Sequence, residues 1–166
     1  MKQLKQKIIL IIVYLAAIVI ANLVVTKFGP PATIPVAFVL IGLDLTSRDR
    51  LHQLWHNDKL LLKMLILIFL GSLISYILNR NALQIAIASF IAFFCAGIVD
   101  FISYSLLYKK RWLIKSNGSN IFSALTDSII FPTLAFGTFM PIIILGQFAA
   151  KTLGGFVWSV ILIKSR

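Results

Sequence analysis

Leu83 to Tyr108 reads LQIAIASFIAFFCAGIVDFISYSLLY, an apolar run whose one charged residue is Asp100. The hydrocarbon core of a bilayer is about 30 Å thick and a helix rises about 1.5 Å per residue, so roughly 20 apolar residues cross it. This run is long enough with turns to spare. A carboxylate inside such a span is costly and by default marks a pathway or a binding site. The stretch therefore sets two expectations together, a membrane helix and a functional acid within it.

Five further segments read the same way on either side of it. They run from about Ile8 to Phe28, Thr33 to Trp55, Leu60 to Leu78, Ser119 to Phe136 and Phe139 to Ile163. The second is plainly apolar only to Leu45 and is expected to continue as a helix through Arg48 and Arg50. The basic start at Lys2, Lys5 and Lys7 resembles a signal peptide, but the apolar run that follows is long and lacks a small-residue cleavage pattern, so it stays a helix. Connections are short, with no repeat or linker. The fold expected is an all-α integral membrane protein, one domain over residues 1–166, with six transmembrane helices in one bundle.

Composition agrees. Of the 166 residues 60% are hydrophobic, and the mean hydropathy of +0.97 is too high for an ordinary soluble domain. The net charge of +11 arises from short basic clusters between apolar runs, which argues for topology signals and against nucleic acid as a partner. Basic residues in short loops stay on the cytoplasmic side. Lys2, Lys5, Lys7, Arg48, Arg50, Lys59, Lys63, Lys109, Lys110, Arg111, Lys115, Lys164 and Arg166 then share one side, and both termini are expected in the cytoplasm.

The acidic residues number five, all aspartates, and three of them fall in apolar segments: Asp44, Asp100 and Asp127. Asp100 lies eight positions before Tyr108 and Asp127 eight after Ser119, about 12 Å from the ends of their segments. Lys151 lies twelve residues into the last segment, so three anions and one cation are expected to share a layer in which pairing lowers their cost. Helical spacing supports this. Asn120, Ser123 and Asp127 form one stripe, Asp44, Arg48 and His52 another, Gln147 and Lys151 a third, and Ser89, Phe93, Gly97, Asp100 and Tyr104 a fourth. Asn22 and Thr26 are placed to face the same cavity, and Pro132 frees a carbonyl beside Asp127.

Other residues have plainer readings. Asp49 and Asp58 read as solvated interface charges, Arg50 as a side chain snorkelling to headgroups, and Trp55, Trp112 and Trp158 as interfacial anchors. Cys95 reads as a small buried residue. His52 and His56 lack a matching ligand set, so no metal or other cofactor is expected. Carboxylates spread one per helix argue against an enzyme, and no P-loop sequence is present.

Taken together these residues resemble a known family. Asn22, the run Phe38-Val39-Leu40-Ile41-Gly42-Leu43-Asp44-Leu45-Thr46-Ser47-Arg48, the block Ile87-Ala88-Ser89-Phe90-Ile91-Ala92 followed by Asp100, the spacing Asn120-x-x-Ser123-x-x-x-Asp127 with Phe131 to Phe136, and Gln147 to Leu153 around Lys151 are similar to the queuosine-precursor transporters of the vitamin uptake transporter (VUT) family. The resemblance covers about Ala21 to Lys164. It departs at Gly97, where some relatives carry an amide or a carboxylate.

The resemblance implies a carrier that imports 7-cyano- or 7-aminomethyl-7-deazaguanine, precursors of the tRNA base queuosine, across a bacterial cytoplasmic membrane. It implies a substrate site built from Asn22, Asp44, Arg48, Ser89, Asp100, Asn120, Ser123, Asp127 and Lys151. The partners expected are the deazapurine base and membrane lipid. Energy coupling stays open among facilitated passage, a proton taken by a buried aspartate, and an external energising subunit. The chemistry suits such a base: a carboxylate accepts its adjacent N–H and amino groups, Lys or Asn donates to its carbonyl, and an aromatic ring stacks on its face.

Overall fold

The computed structural model describes residues 2–55, 59–107 and 110–164. The helices are α1 (Lys2–Phe28), α2 (Thr33–Val36), α3 (Gly42–Trp55), α4 (Leu60–Leu78), α5 (Leu83–Leu106), α6 (Trp112–Phe136) and α7 (Pro141–Lys164), and the described residues contain no strand. Gly29 ends α1 in a positive-φ conformation (72°) that costs glycine little, and its N–H donates to the Val25 carbonyl at 2.8 Å. Pro30 and Pro31 then open a 3-10 turn, where their missing N–H groups are not needed. The turn runs into α2, a π-helical stretch at Ala37–Ile41, and α3, so that 30–55 is one helical rod. Gly137, at φ 68°, ends α6, and Pro141 starts α7.

Neighbouring rods close into a ring. α1 packs on α4, α4 on α5, α5 on α6, α6 on α7, and α7 on the 30–55 rod, which returns to α1. The interior of this ring mixes an apolar core, which includes Tyr14, Ile18, Leu51 and Met64, with a set of buried polar groups. Its buried face carries Asn22, Asp44, Arg48, Asp100, Asn120, Asp127 and Lys151, while Ile8, Ile12, Phe69, Ile87, Phe122, Ile142 and Leu145 are exposed on its outside. Apolar faces of that extent suit lipid, and polar groups turned inward suit a lined interior. From Asp44 to Leu51 every residue with a described side chain is buried, so α3 is covered on all sides.

Glycines let α7 approach this rod. A Cβ on Gly42 would stand 2.6 Å from the Gly154 carbonyl carbon, and one on Gly154 would run into the Phe38 carbonyl. The Thr46 hydroxyl donates to the Gly155 carbonyl at 3.3 Å, and the Trp158 indole to that of Val39 at 3.0 Å. Small residues that permit such approach are the usual adhesive between membrane helices. Gly154→Ala should lower stability by about 1–3 kcal/mol through overpacking, read as a reduced midpoint of thermal unfolding in detergent. Gly155→Ala, whose Cβ has 3.9 Å of clearance, should stay near wild type.

Among the described residues four rods are long and apolar enough to cross a membrane: Leu4–Phe28, Pro30–Trp55, Arg80–Leu106 and Pro141–Ile161. Two expected spans differ from these. The apolar stretch of α4, Leu62–Leu78, is shorter, and α6 is diluted by its own polar face, which includes Ser119, Asn120, Ser123, Asp127 and Ser128. Helix limits differ as well. α1 starts at Lys2 rather than Ile8, and α6 at Trp112 rather than Ser119, because Lys115 and Asn117 interrupt hydropathy without interrupting a helix. Asp127 therefore lies about 22 Å along α6 rather than 12. The expected end of the fourth segment at Tyr108, the readings of His56 and Asp58, and the basic residues Lys109 and Arg166 lie outside the described residues, as do the side chains of His52 and Trp112.

Candidate substrate site

Helical periodicity brings one or two polar groups from each of several rods to the same depth. α1 supplies Asn22, the 30–55 rod Thr33, α5 Ser89 and Phe93, α6 Asp127 and Phe131, and α7 Gln147 and Lys151. Together with Ala21, Val25, Val36, Ala37 and Ile41 they line a narrow pocket of about 20 Å³. That is room for about one water, so a flat molecule enters only when the helices around it separate. Three of the wall residues, Val36, Ala37 and Ile41, sit on or beside the π-helical stretch, an irregularity that often accompanies functional sites.

The pocket's charge is paired and its geometry is held. Lys151, 2% exposed, donates from Nζ to Asp127 Oδ2 at 2.5 Å and to Gln147 Oε1 at 2.8 Å, its neighbour one turn earlier. Such a pair in low dielectric repays desolvation only when its geometry is good and its remaining lone pairs are met. Gln147 Nε2 has no hydrogen-bond partner, which leaves a buried amide donor at the pocket. α4 takes no part in the wall but steadies it. Ser75 accepts from Asn22 Nδ2 at 3.1 Å and donates to the Gly71 carbonyl at 2.7 Å. The set combines a carboxylate acceptor, amide and ammonium donors, and two phenyl faces.

A second polar layer adjoins the pocket and is organised by α3. Arg48 Nη2 lies 3.2 Å from Asp100 Oδ1 and donates to Ser123 Oγ at 3.3 Å and Asn120 Oδ1 at 3.4 Å. Asn120 Nδ2 in turn donates to Asp49 Oδ2 at 3.2 Å. One guanidinium thus ties α3 to α5 and α6. Asp44, one turn before Arg48 and 1% exposed, has no hydrogen-bond partner on either oxygen. It lies within electrostatic reach of Arg48, Asp127 and Asp49, and Tyr14 on α1 within reach of Asp44, Arg48, Asp127 and Asp100.

The structure therefore divides the nine expected residues. Asn22, Ser89, Asp127 and Lys151 line the pocket, whereas Asp44, Arg48, Asp100, Asn120 and Ser123 belong to the adjoining layer. Lys151 pairs with Asp127, and Asp100 takes Arg48 as its cation. Three plainer readings change. Asp49 and Arg50 are buried, at 0% and 8% exposure, because α3 is enclosed where an interface was expected. Trp158 binds a backbone carbonyl of the neighbouring rod, a specific contact beyond anchoring. Tyr14 escaped notice although Tyr14, Ile18 and Asn22 repeat the four-residue step of one buried face. A Cβ on Gly97 would meet nothing within 4 Å, so an amide or carboxylate there has room.

Helices with lipid-suited exteriors around a polar, pocket-bearing interior define a multi-pass membrane protein of the carrier type. The chain belongs to the family described as "Putative vitamin uptake transporter", whose model matches residues 2–164. No curated protein and no solved structure matches it.

Proposed function

We propose that this protein is a six-span carrier of a bacterial cytoplasmic membrane, both termini cytoplasmic, that imports a 7-deazaguanine precursor of queuosine and performs no catalysis. The observation that carries the substrate reading is the donor and acceptor pattern of the pocket. Asp127 accepts the adjacent ring N–H and exocyclic amino group of a guanine-like edge, a two-point contact. Gln147 Nε2, buried and unpartnered, donates to the ring carbonyl. Phe93 and Phe131 offer faces for the flat ring, since every base has a π-face for an aromatic side chain. Lys151 donates to Asp127 Oδ2 and fixes the orientation of that carboxylate. Six crossings follow if α4 extends its apolar stretch with flanking residues and α6 turns its polar face wholly inward, which its buried Ser119, Asn120, Ser123, Asp127 and Ser128 favour.

The test is rescue of tRNA queuosine in a bacterial host that lacks both precursor synthesis and its own precursor carrier. With limiting 7-cyano-7-deazaguanine in the medium, expression should restore queuosine in tRNA. A host that stays queuosine-free while the protein is present in its membrane would refute the substrate assignment.

A further inference from the structure

The buried charges of the described residues do not balance. Asp44, Asp49, Asp100 and Asp127 face three buried cations, Arg48, Arg50 and Lys151, which leaves one negative charge in excess if all ionise. Excess charge in a low-dielectric interior is expensive and is ordinarily removed by protonation. Three of the four carboxylates are engaged: Asp127 with Lys151, Asp100 with Arg48, and Asp49 with Asn120. Asp44 is the fourth: its oxygens, like those of Asp100, have no hydrogen-bond partner, but Asp100 has Arg48 at 3.2 Å whereas Asp44 is in no ion pair among the described residues. One turn away, Arg48 holds a matching anomaly, since its Nε is a buried donor with no acceptor. An i, i+4 pair on a helix brings such groups within reach, and an anionic Asp44 would draw that guanidinium. Instead the guanidinium is turned to Asp100, Ser123 and Asn120.

We propose that Asp44 binds the coupling proton of this carrier, and that the proton decides whether Arg48 clamps α3 to α5 and α6. With the proton on Asp44, an O–H bond formed at one carboxyl oxygen from a proton of bulk water, the layer is neutral and Arg48 is free to hold Asp100. When the proton returns to water on the other side, Asp44 becomes an anion and competes for Arg48, which loosens the link between α3 and its neighbours. The groups facing Asp44 suit this competition. Tyr14 approaches from α1, Asp127 from α6 with Lys151 of α7 already committed to it, and Arg48 and Asp49 share its own helix. Because Arg48 has two carboxylates and one charge, the arrangement has two states and a ligand that selects between them.

Coupling rests on the carrier reading above, but the proton on Asp44 does not, and the experiment separates the two. In purified protein in lipid nanodiscs at neutral pH, the infrared spectrum should contain a protonated carboxylic-acid carbonyl band that Asp44→Asn removes. Asparagine has the shape of the protonated acid, so folding should persist. A wild-type spectrum without the band, or a band that survives the substitution, overturns the proposal. In proteoliposomes with 7-cyano-7-deazaguanine as the probe, a medium one pH unit more acidic than the lumen should support up to about tenfold accumulation, with proton entry reported by an enclosed pH dye. Asp44→Asn should abolish that proton entry. Substrate-linked proton entry unchanged in the variant, or accumulation driven by sodium without proton entry, would likewise overturn it. A wild type that carries no 7-cyano-7-deazaguanine refutes the substrate assignment alone, and the infrared band still decides Asp44.

Discussion

Lys151→Met should destabilise the protein by about 3–5 kcal/mol and abolish uptake of 7-cyano-7-deazaguanine. The ammonium is 2% exposed and its closest partner is Asp127 at 2.5 Å, so removing it strands a carboxylate inside the bundle. It also removes the donor to Gln147 Oε1, leaving both ends of that amide without a partner. Methionine matches the length of the stem, so packing is not what is lost. Thermal unfolding in detergent, measured beside uptake, separates the two consequences. Adding Asp127→Asn should recover most of the stability, because no buried charge is then left alone, yet uptake should stay absent because the acceptor for the base has gone. Recovery of uptake in the double variant would mean that the pair is structural only.

Arg48→Met is the second large effect, again about 3–5 kcal/mol, and its origin is different. One guanidinium serves Asp100, Asn120 and Ser123 on two helices, so its loss unties α3 from α5 and α6 together. Asp100, at 0% exposure, then has no cation. Arg48→Lys should not rescue, since all three contacts are made by Nη2, the outermost nitrogen, and the shorter lysine stem stops about one bond short of it. Asp100→Asn in the Arg48→Met background should restore thermal stability in part. Equal stability of Arg48→Lys and wild type would show that charge alone suffices at this position.

Periodicity found the long helices, and depth brought Asp44, Asp100, Asp127 and Lys151 towards one layer. Depth alone gives no rotation between helices, so it did not say that Lys151 pairs with Asp127 and Arg48 with Asp100. Nor did it say that these pairs belong to two layers, a pocket and a clamp. The enclosure of α3 was hidden for a related reason. The run Thr46-Ser47-Arg48-Asp49-Arg50 has the composition of a membrane surface, and only its neighbours, α1 and α7 at the glycine seam, make it interior. The π-helical stretch Ala37–Ile41 has no mark in its apolar side chains. The early start of α6 was missed because hydropathy reports lipid, whereas a helix needs only backbone partners.

Equilibrium binding decides whether the pocket between Asp127 and Gln147 holds the base. Purified protein in nanodiscs, titrated with radiolabelled 7-cyano-7-deazaguanine, should bind one base per chain. Asp127→Asn should weaken binding by at least about tenfold, the 1.4 kcal/mol expected from losing one charge-assisted contact. Wild-type affinity in Asp127→Asn, or no binding by the wild type, would mean that the base does not sit against Asp127.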